Sequence, residues 1–258
     1  MGIDFHNKNN QKSYTKRTAD ISWMETIKKI VPIAEIGEAL DIGCGGGIYS
    51  KALADMGVAH VTGVDFSEPM LNGAKENCKN YHQITFQLGN AYETGLDDNL
   101  YDLLLERALI HHIEDLYFCF VEAYRVLKDN AYYIIQDRTP EDCLLEGSDH
   151  HIRGYFFELF PRLAEKEMNR RYKSQFVTDM LQKVGFQNIE EIKLWETRKM
   201  YDTKEQLLID LTERTGRSIL HELSDAELNR LVKYIDSSLS IEEGIVEKDR
   251  WTIWKAVK

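Results

Sequence analysis

The chain has 258 residues and a net charge of −11. It is 43% hydrophobic and 29% charged, an ordinary globular balance on a chain long enough to bury a large core, and its acidity disfavours nucleic acid as a partner. Its cysteines (Cys44, Cys78, Cys119 and Cys143) form no CxxC pair, so their spacing points to neither a zinc site nor a disulfide framework.

Residues 13–36 carry apolar side chains at helical spacing, at Ile21, Met24, Ile27 and Val31, and Pro32 should end or kink that helix. EALDIG is a short strand running into a glycine cluster, and IYSKALADMG reads as a helix closed by Gly57. HVTGVDFS is a second strand. EPMLNGAKENCKN is a helix with Ser67 as N-cap and Pro69 in its first turn. ITFQLGN is a third strand, and LYDLLLER, nearly all apolar, is a fourth that is buried on both faces. IEDLYFCFVEAYRVLKDN is a long amphipathic helix and AYYIIQDR a fifth strand. Five alternations of strand and helix over residues 38–138 predict an α/β doubly wound parallel sheet.

After Arg138 the alternation breaks. GYFFELFPRLAEKEMNRRY reads as helix interrupted near Pro161, SQFVTDMLQKVG as a helix closed by Gly185, and NIEEIKLWETRK as a strand. Residues 203–243 suggest two or three helices, and IVEKDRWTIWKAVK a last strand carrying Trp251 and Trp254 as core or edge residues. The expected organisation is an N-terminal helical segment over 1–37, a core over 38–138, and a C-terminal half over 139–258. That half carries helical lid insertions at about 140–175 and 203–243.

The stretch LDIGCGGG places a ligand turn at the carboxyl end of the first strand, where open parallel sheets bind ligands. The dinucleotide pattern G-x-G-x-x-G/A fails there. Counted from Gly43 its last position is Ile48, and counted from Gly45 it is Ser50. The Gly-Lys-Ser/Thr of a Walker loop is absent. Asp41 precedes the glycines and Asp65 ends the next strand, near the offset of an acid that grips a ribose.

LDIGCGGG and GVDFSEPML resemble the first and second motifs of class I S-adenosylmethionine-dependent methyltransferases. GNAYETGLDDNLYDLLLERALIHHIED followed by AYRVLKDNAYYIIQDR is similar to their later strands and linking helix. The resemblance covers roughly residues 38–138 and implies a seven-stranded, mostly parallel sheet with S-adenosylmethionine as cofactor. It implies that Gly43, Cys44 and Gly45 pass against the methionine part, and that Asp41 holds the loop or meets the ammonium through water. It sets Asp65 on the ribose hydroxyls, Phe66 beside the adenine, and Asn90 and Ala91 at the adenine edge. Glu106 and Arg107 would line the methionine side, and Tyr14 and Arg17 of the N-terminal helix would meet the carboxylate. Asn90 departs from the acid common in that family, though an amide still bonds an exocyclic amine.

His111 and His112 follow the fourth strand, where a general base would serve a hydroxyl or amine acceptor; a packing role is the alternative. Which of the two histidines serves is open. A carboxylate acceptor needs no base and calls for an arginine instead. Arg138, Arg153 and Tyr155 are candidates for substrate contact, against a plainer reading of Arg138, Arg153 and Arg162 as surface ion pairs and of Tyr155 as the buried face of a lid helix. His150 and His151 lack metal-ligand spacing, so no metal is expected.

The expected activity is methyl transfer by in-line displacement to a small-molecule acceptor, at O, N or carboxylate. A non-catalytic S-adenosylmethionine sensor or assembly protein is the alternative, as is action on RNA or protein. The polar start and the lack of a membrane-length apolar run lead us to expect a cytoplasmic protein without membrane association, monomeric or homodimeric.

Overall fold

The computed structural model describes residues 18–258. A seven-stranded sheet runs through it in the order β3-β2-β1-β4-β5-β7-β6. The strands are β1 (Glu38–Ile42), β2 (His60–Asp65), β3 (Ile84–Leu88), β4 (Tyr101–Arg107), β5 (Leu127–Asp137), β6 (Gln187–Thr203) and β7 (Glu243–Val257). β3, β2, β1, β4 and β5 are parallel neighbours, and β7 pairs antiparallel with β5. The order reverses at β1, which has β2 on one side and β4 on the other. Ligands of open α/β sheets bind at that crevice.

Two compact units divide the chain. The first holds residues 18–137, Tyr172–Leu194 and Thr252–Lys258. Its strands point alternate residues to opposite faces, as period two demands. Ala39, Leu103, Leu105, Ile134 and Ile253 pack with α1 (Ile21–Ile30) and α2 (Ile48–Asp55). Leu40, Leu104, Tyr133, Ile135 and Trp254 pack instead with α4 (Leu116–Val126) and α8 (Ser174–Val184). Both faces are thus covered, which explains the unbroken apolar run of β4. On the second strand's return, α3 (Glu68–Asn77) starts from Ser67, whose hydroxyl accepts from Met70 N–H at 3.4 Å.

The second unit holds Arg138–Arg171 and Trp195–Trp251. It contains α5 (Pro140–Cys143), α6 (Ile152–Leu159), α7 (Pro161–Arg170), α9 (Lys204–Thr212) and α10 (Asp225–Ser238). These helices bury a separate apolar cluster that includes Ile152, Phe156, Leu207, Leu231 and Ile235. Pro161 starts α7, so the interruption read from the sequence is a real break between two helices.

Expected boundaries move. The helix drawn over 13–36 is Ile21–Ile30 among the described residues, capped by Asp20. The helix drawn over residues 113–130 is shorter, because Asp115 caps it by accepting from Tyr117 N–H at 3.0 Å, and Leu127 is already extended and opens β5. The strand drawn over 188–199 continues to Thr203. No helix among the described residues is long and apolar enough to cross a membrane.

Candidate active site

The glycine turn joins β1 to α2. Gly43, Gly45 and Gly47 all have left-handed φ values of +73°, +52° and +75°. A side chain at Gly43 would meet Leu109 at 2.9 Å, and one at Gly47 would meet Cys78 Sγ at 3.0 Å. At Gly45 the nearest atom is Met70 Cε at 3.4 Å, so this side of the turn is less crowded. The turn spends its own N–H groups on the protein. Gly43 and Cys44 donate to Val64 O at 2.8 and 3.1 Å, and Gly45 donates to Asp65 Oδ2 at 2.9 Å. A phosphate cradle needs such groups directed outward. This turn fits a ligand part that does not demand them, such as the methionine chain of S-adenosylmethionine.

Of Cys44, the backbone was expected along the cofactor. Its side chain is buried beside Gly63, and burial pushes its thiol well up. Asp41 is buried at the turn's base and accepts from Ser50 Oγ at 2.6 Å. Burial raises its carboxyl to about 6 against the pull of Ser50. Asp41 therefore ties β1 to α2, which supports the loop-holding role.

Asp65 closes β2. One carboxylate oxygen takes Gly45 N–H and the other takes Ser67 N–H, both at 2.9 Å. These donors hold its orientation. Phe66, next in sequence, is 50% exposed, a flat apolar surface beside the acid. Asn90 is exposed, and its Oδ1 accepts from Tyr92 and Glu93 N–H at 2.8 and 3.0 Å, which shapes the turn after β3; Ala91 is buried.

The end of β4 separates two residues the sequence had grouped. Glu106 is fully buried and accepts from Cys119 Sγ of α4 at 3.4 Å, so it faces the core and not a ligand. Strand alternation turns its neighbour the other way. Arg107 donates through Nε to Gln136 Oε1 at 3.0 Å, and its guanidinium lies 4.1 Å from the ring centre of Tyr49, at the start of α2. Ala108 then takes a left-handed φ of +52° as the chain leaves the strand.

His111 and His112 sit in a short 3₁₀ turn. His111 Nδ1 is 2.8 Å from Asp137 Oδ2, at the end of β5, and the same oxygen accepts the His111 N–H at 3.2 Å. Asp137 is 1% exposed, while His112 is exposed and packs its ring 3.9 Å from that of His111. The carboxylate fixes one ring nitrogen of His111 and leaves Nε2 without a partner among the described residues. Asp137, Gln136, Tyr49 and Ser50 were missed by sequence reasoning. The acid in QDR at the strand end was the one signal available for Asp137.

Tyr14 and Arg17 lie outside the described residues. Arg138 and Arg153 belong to the second unit, where they are not surface ion pairs. Arg153 is 8% exposed, and both reach Asp249. Arg162 does pair at the surface, with Glu227 at 2.9 Å. Tyr155 packs in the helical core of that unit, edge-on to Tyr234.

Residues 40–135 match the family model described as a methyltransferase domain. A demethylmenaquinone methyltransferase of Tropheryma whipplei (strain Twist) is 26% identical over 182 residues, 66% of this chain and 74% of that protein. One from Listeria welshimeri is 32% identical over 145 residues, 55% and 61% of the respective chains. Among solved structures, Haemonchus contortus phosphoethanolamine N-methyltransferase 2, in complex with S-adenosyl-L-methionine, aligns with a TM-score of 0.61 at 20% identity, over 100% of this chain and 60% of that one. An S-adenosylmethionine-dependent methyltransferase from Mesorhizobium loti aligns with a TM-score of 0.54 at 18% identity, over 92% and 98%.

A doubly wound sheet with a glycine turn at its reversal point thus coincides with a methyltransferase domain. The methyltransferase domain over residues 40–135 and the methyltransferase relatives support a class I S-adenosylmethionine-dependent methyltransferase, as the motifs had implied. The chain is an enzyme that uses S-adenosylmethionine to methylate a small molecule.

Proposed function

We propose that this methyltransferase acts on a hydroxyl or amine of its small-molecule acceptor, with His111 as the general base that Asp137 orients. The observation that carries this reading is the 2.8 Å contact between His111 Nδ1 and a buried Asp137. A base held at one nitrogen presents the other in a defined direction. His112 is the more exposed of the two. Of the two histidines, our reading takes His111.

S-adenosylmethionine supplies the electrophilic methyl group when bound. In our reading Asp65 takes its ribose hydroxyls, Phe66 flanks its adenine, and the Gly43–Gly45 backbone lies along its methionine chain. Asn90 holds the turn that carries Ala91 at the adenine edge. Asp41 keeps β1 and α2 in register beneath. Arg107, steadied by Gln136 and Tyr49, lines the methionine side. Alignment of acceptor and methyl supplies much of the acceleration, and His111 removes the acceptor proton at Nε2.

The test is kinetic. With an acceptor found by screening for S-adenosylhomocysteine release, His111→Ala should lower kcat by roughly 10²- to 10⁴-fold, the usual range for a general base. Affinity for S-adenosylmethionine should stay unchanged, and Asp137→Asn should lower kcat as well. Full kcat in His111→Ala would remove the base assignment.

A further inference from the structure

Two phenols of the first unit hold the turn that carries the base. His111 lies in the segment over residues 109–115, which follows β4 and ends at the Asp115 cap of α4. Tyr92, on the turn after β3, places its hydroxyl oxygen 3.1 Å from the Glu114 nitrogen and 3.2 Å from the Asp115 nitrogen, and accepts both N–H groups. Tyr172, just before α8, places its hydroxyl 2.6 Å from Ile113 O and 3.1 Å from Glu114 O, and donates to these carbonyls. One phenol thus takes the segment's N–H groups and the other its carbonyls. Glu114 and Asp115 are exposed, and an exposed segment with few buried contacts opens easily unless its backbone is held.

The Tyr92 end of this grip is stiff. Asn90 and Glu93 exchange backbone hydrogen bonds, both at 3.2 Å, and Asn90 Oδ1 also accepts the Tyr92 and Glu93 N–H groups at 2.8 and 3.0 Å. The Tyr92 ring therefore leaves a turn that is cross-bonded on itself. Ala91 anchors that turn in the apolar cluster that also holds Ile110 and Leu116, which stand on either side of the gripped residues. Ile113 and Tyr172 pack against the same cluster. The turn at the adenine edge and the turn bearing the base are thus joined through a single phenol. Tyr92 is 43% exposed, so core packing does not account for a phenol at this place.

We propose that Tyr92 and Tyr172 are positioning residues for His111, and that Tyr92 couples occupancy of the adenine edge to the order of the turn bearing the base. The proposal rests on the reading in which the cofactor's adenine lies at Asn90 and Ala91 and His111 is the base. A cofactor packed on the Asn90–Glu93 turn narrows the motion of Tyr92, and the hydroxyl passes that restriction to the Glu114 and Asp115 N–H groups. No change of mean structure is required, because ordering alone couples two sites. Tyr172 holds the same segment from its carbonyl side with or without cofactor. The base is then most ordered once the methyl donor is in place, which favours cofactor binding ahead of acceptor.

The experiment is amide hydrogen exchange of the full chain, read at single amides by NMR, with and without saturating S-adenosylhomocysteine. In the wild type the ligand should slow exchange at the glycine turn and also, about 3- to 10-fold, at Glu114 and Asp115, the worth of one hydrogen bond. Tyr92→Phe, which removes only an exposed oxygen, should abolish the second effect and keep the first. Tyr172→Phe should speed exchange across residues 113–115 with and without ligand, yet keep the response to it. With the acceptor found by screening, Tyr92→Phe should lower kcat about 3- to 10-fold without weakening S-adenosylhomocysteine binding, a split that a plain structural tether does not give. Protection confined to the glycine turn in the wild type, or equal protection of Glu114 and Asp115 in the wild type and Tyr92→Phe, overturns the coupling. Full kcat in Tyr92→Phe, or unchanged exchange in Tyr172→Phe, overturns the positioning role of that residue. Protection at neither place sinks the cofactor reading itself, and the coupling with it.

Discussion

At the scale of residues, two carboxyls are held in protonated-leaning states by burial. Glu106 is raised from its ordinary 4.5 to about 7, and Asp41 from 3.8 to about 6. Between the unfolded and folded values the native state holds protons that the unfolded chain has released. Stability from these groups therefore falls as pH rises through pH 4.5–7 for Glu106 and is lowest above that window. Glu106→Gln should remove this loss and stabilise the protein at pH 8 by up to about 3 kcal/mol, with little gain at pH 4.5. Urea denaturation of both forms at the two pH values decides it; an equal difference at both would contradict the burial account. The same residue shows what a sequence conceals. Glu106 and Arg107 are adjacent letters with similar motif standing, but strand alternation sends one to the core and the other to the turn. Asp65 was legible because an acid at a strand end after a glycine turn has a local signature. Asp137 was not, because its meaning comes from His111, 26 residues earlier and on another strand's exit.

At the scale of elements, the glycine turn illustrates a shift of reason. The glycines were read as making room for a ligand. They also serve the backbone conformation and the packing of the turn itself. Gly47→Ala meets both obstacles, a φ of +75° and contacts at 3.0–3.2 Å with Cys78, Phe86 and Ala74. It should cost roughly 2–4 kcal/mol, the sum of a left-handed backbone penalty and local overpacking. Gly57→Ala, at φ +108° with nothing within 4 Å, isolates the backbone part and should cost less. Equal losses in the two variants would show that packing around Gly47 does not matter. Helix and strand identities were legible from periodicity throughout residues 38–138. Their ends were less so: the 113–130 helix lost its first turn to the Asp115 cap and its last residues to β5, a competition that apolar spacing does not record.

At the scale of the whole molecule, five βα alternations led to a doubly wound parallel sheet, since parallel strands with covering helices admit few connections. The closing pair, β7 antiparallel beside β5, was not read from local pattern. Its strand was legible as a strand, while its neighbour is set by packing of Trp254 and Ala256 onto the face of α4 and α8. The second unit was visible as broken rhythm and aromatic helices. Its buried arginines were not visible, because a charged letter in a helical stretch reads as surface until its neighbours are known.

The central claim is that the turn and its partners hold S-adenosylmethionine. The most direct measurement is a thermal-stability titration of the full chain with S-adenosylmethionine and, separately, with NAD. A ligand that binds only the native state adds about 2.7 kcal/mol at 100 times its dissociation constant. The account predicts a saturable gain of that size with S-adenosylmethionine and none with NAD. A gain with NAD and none with S-adenosylmethionine would contradict it.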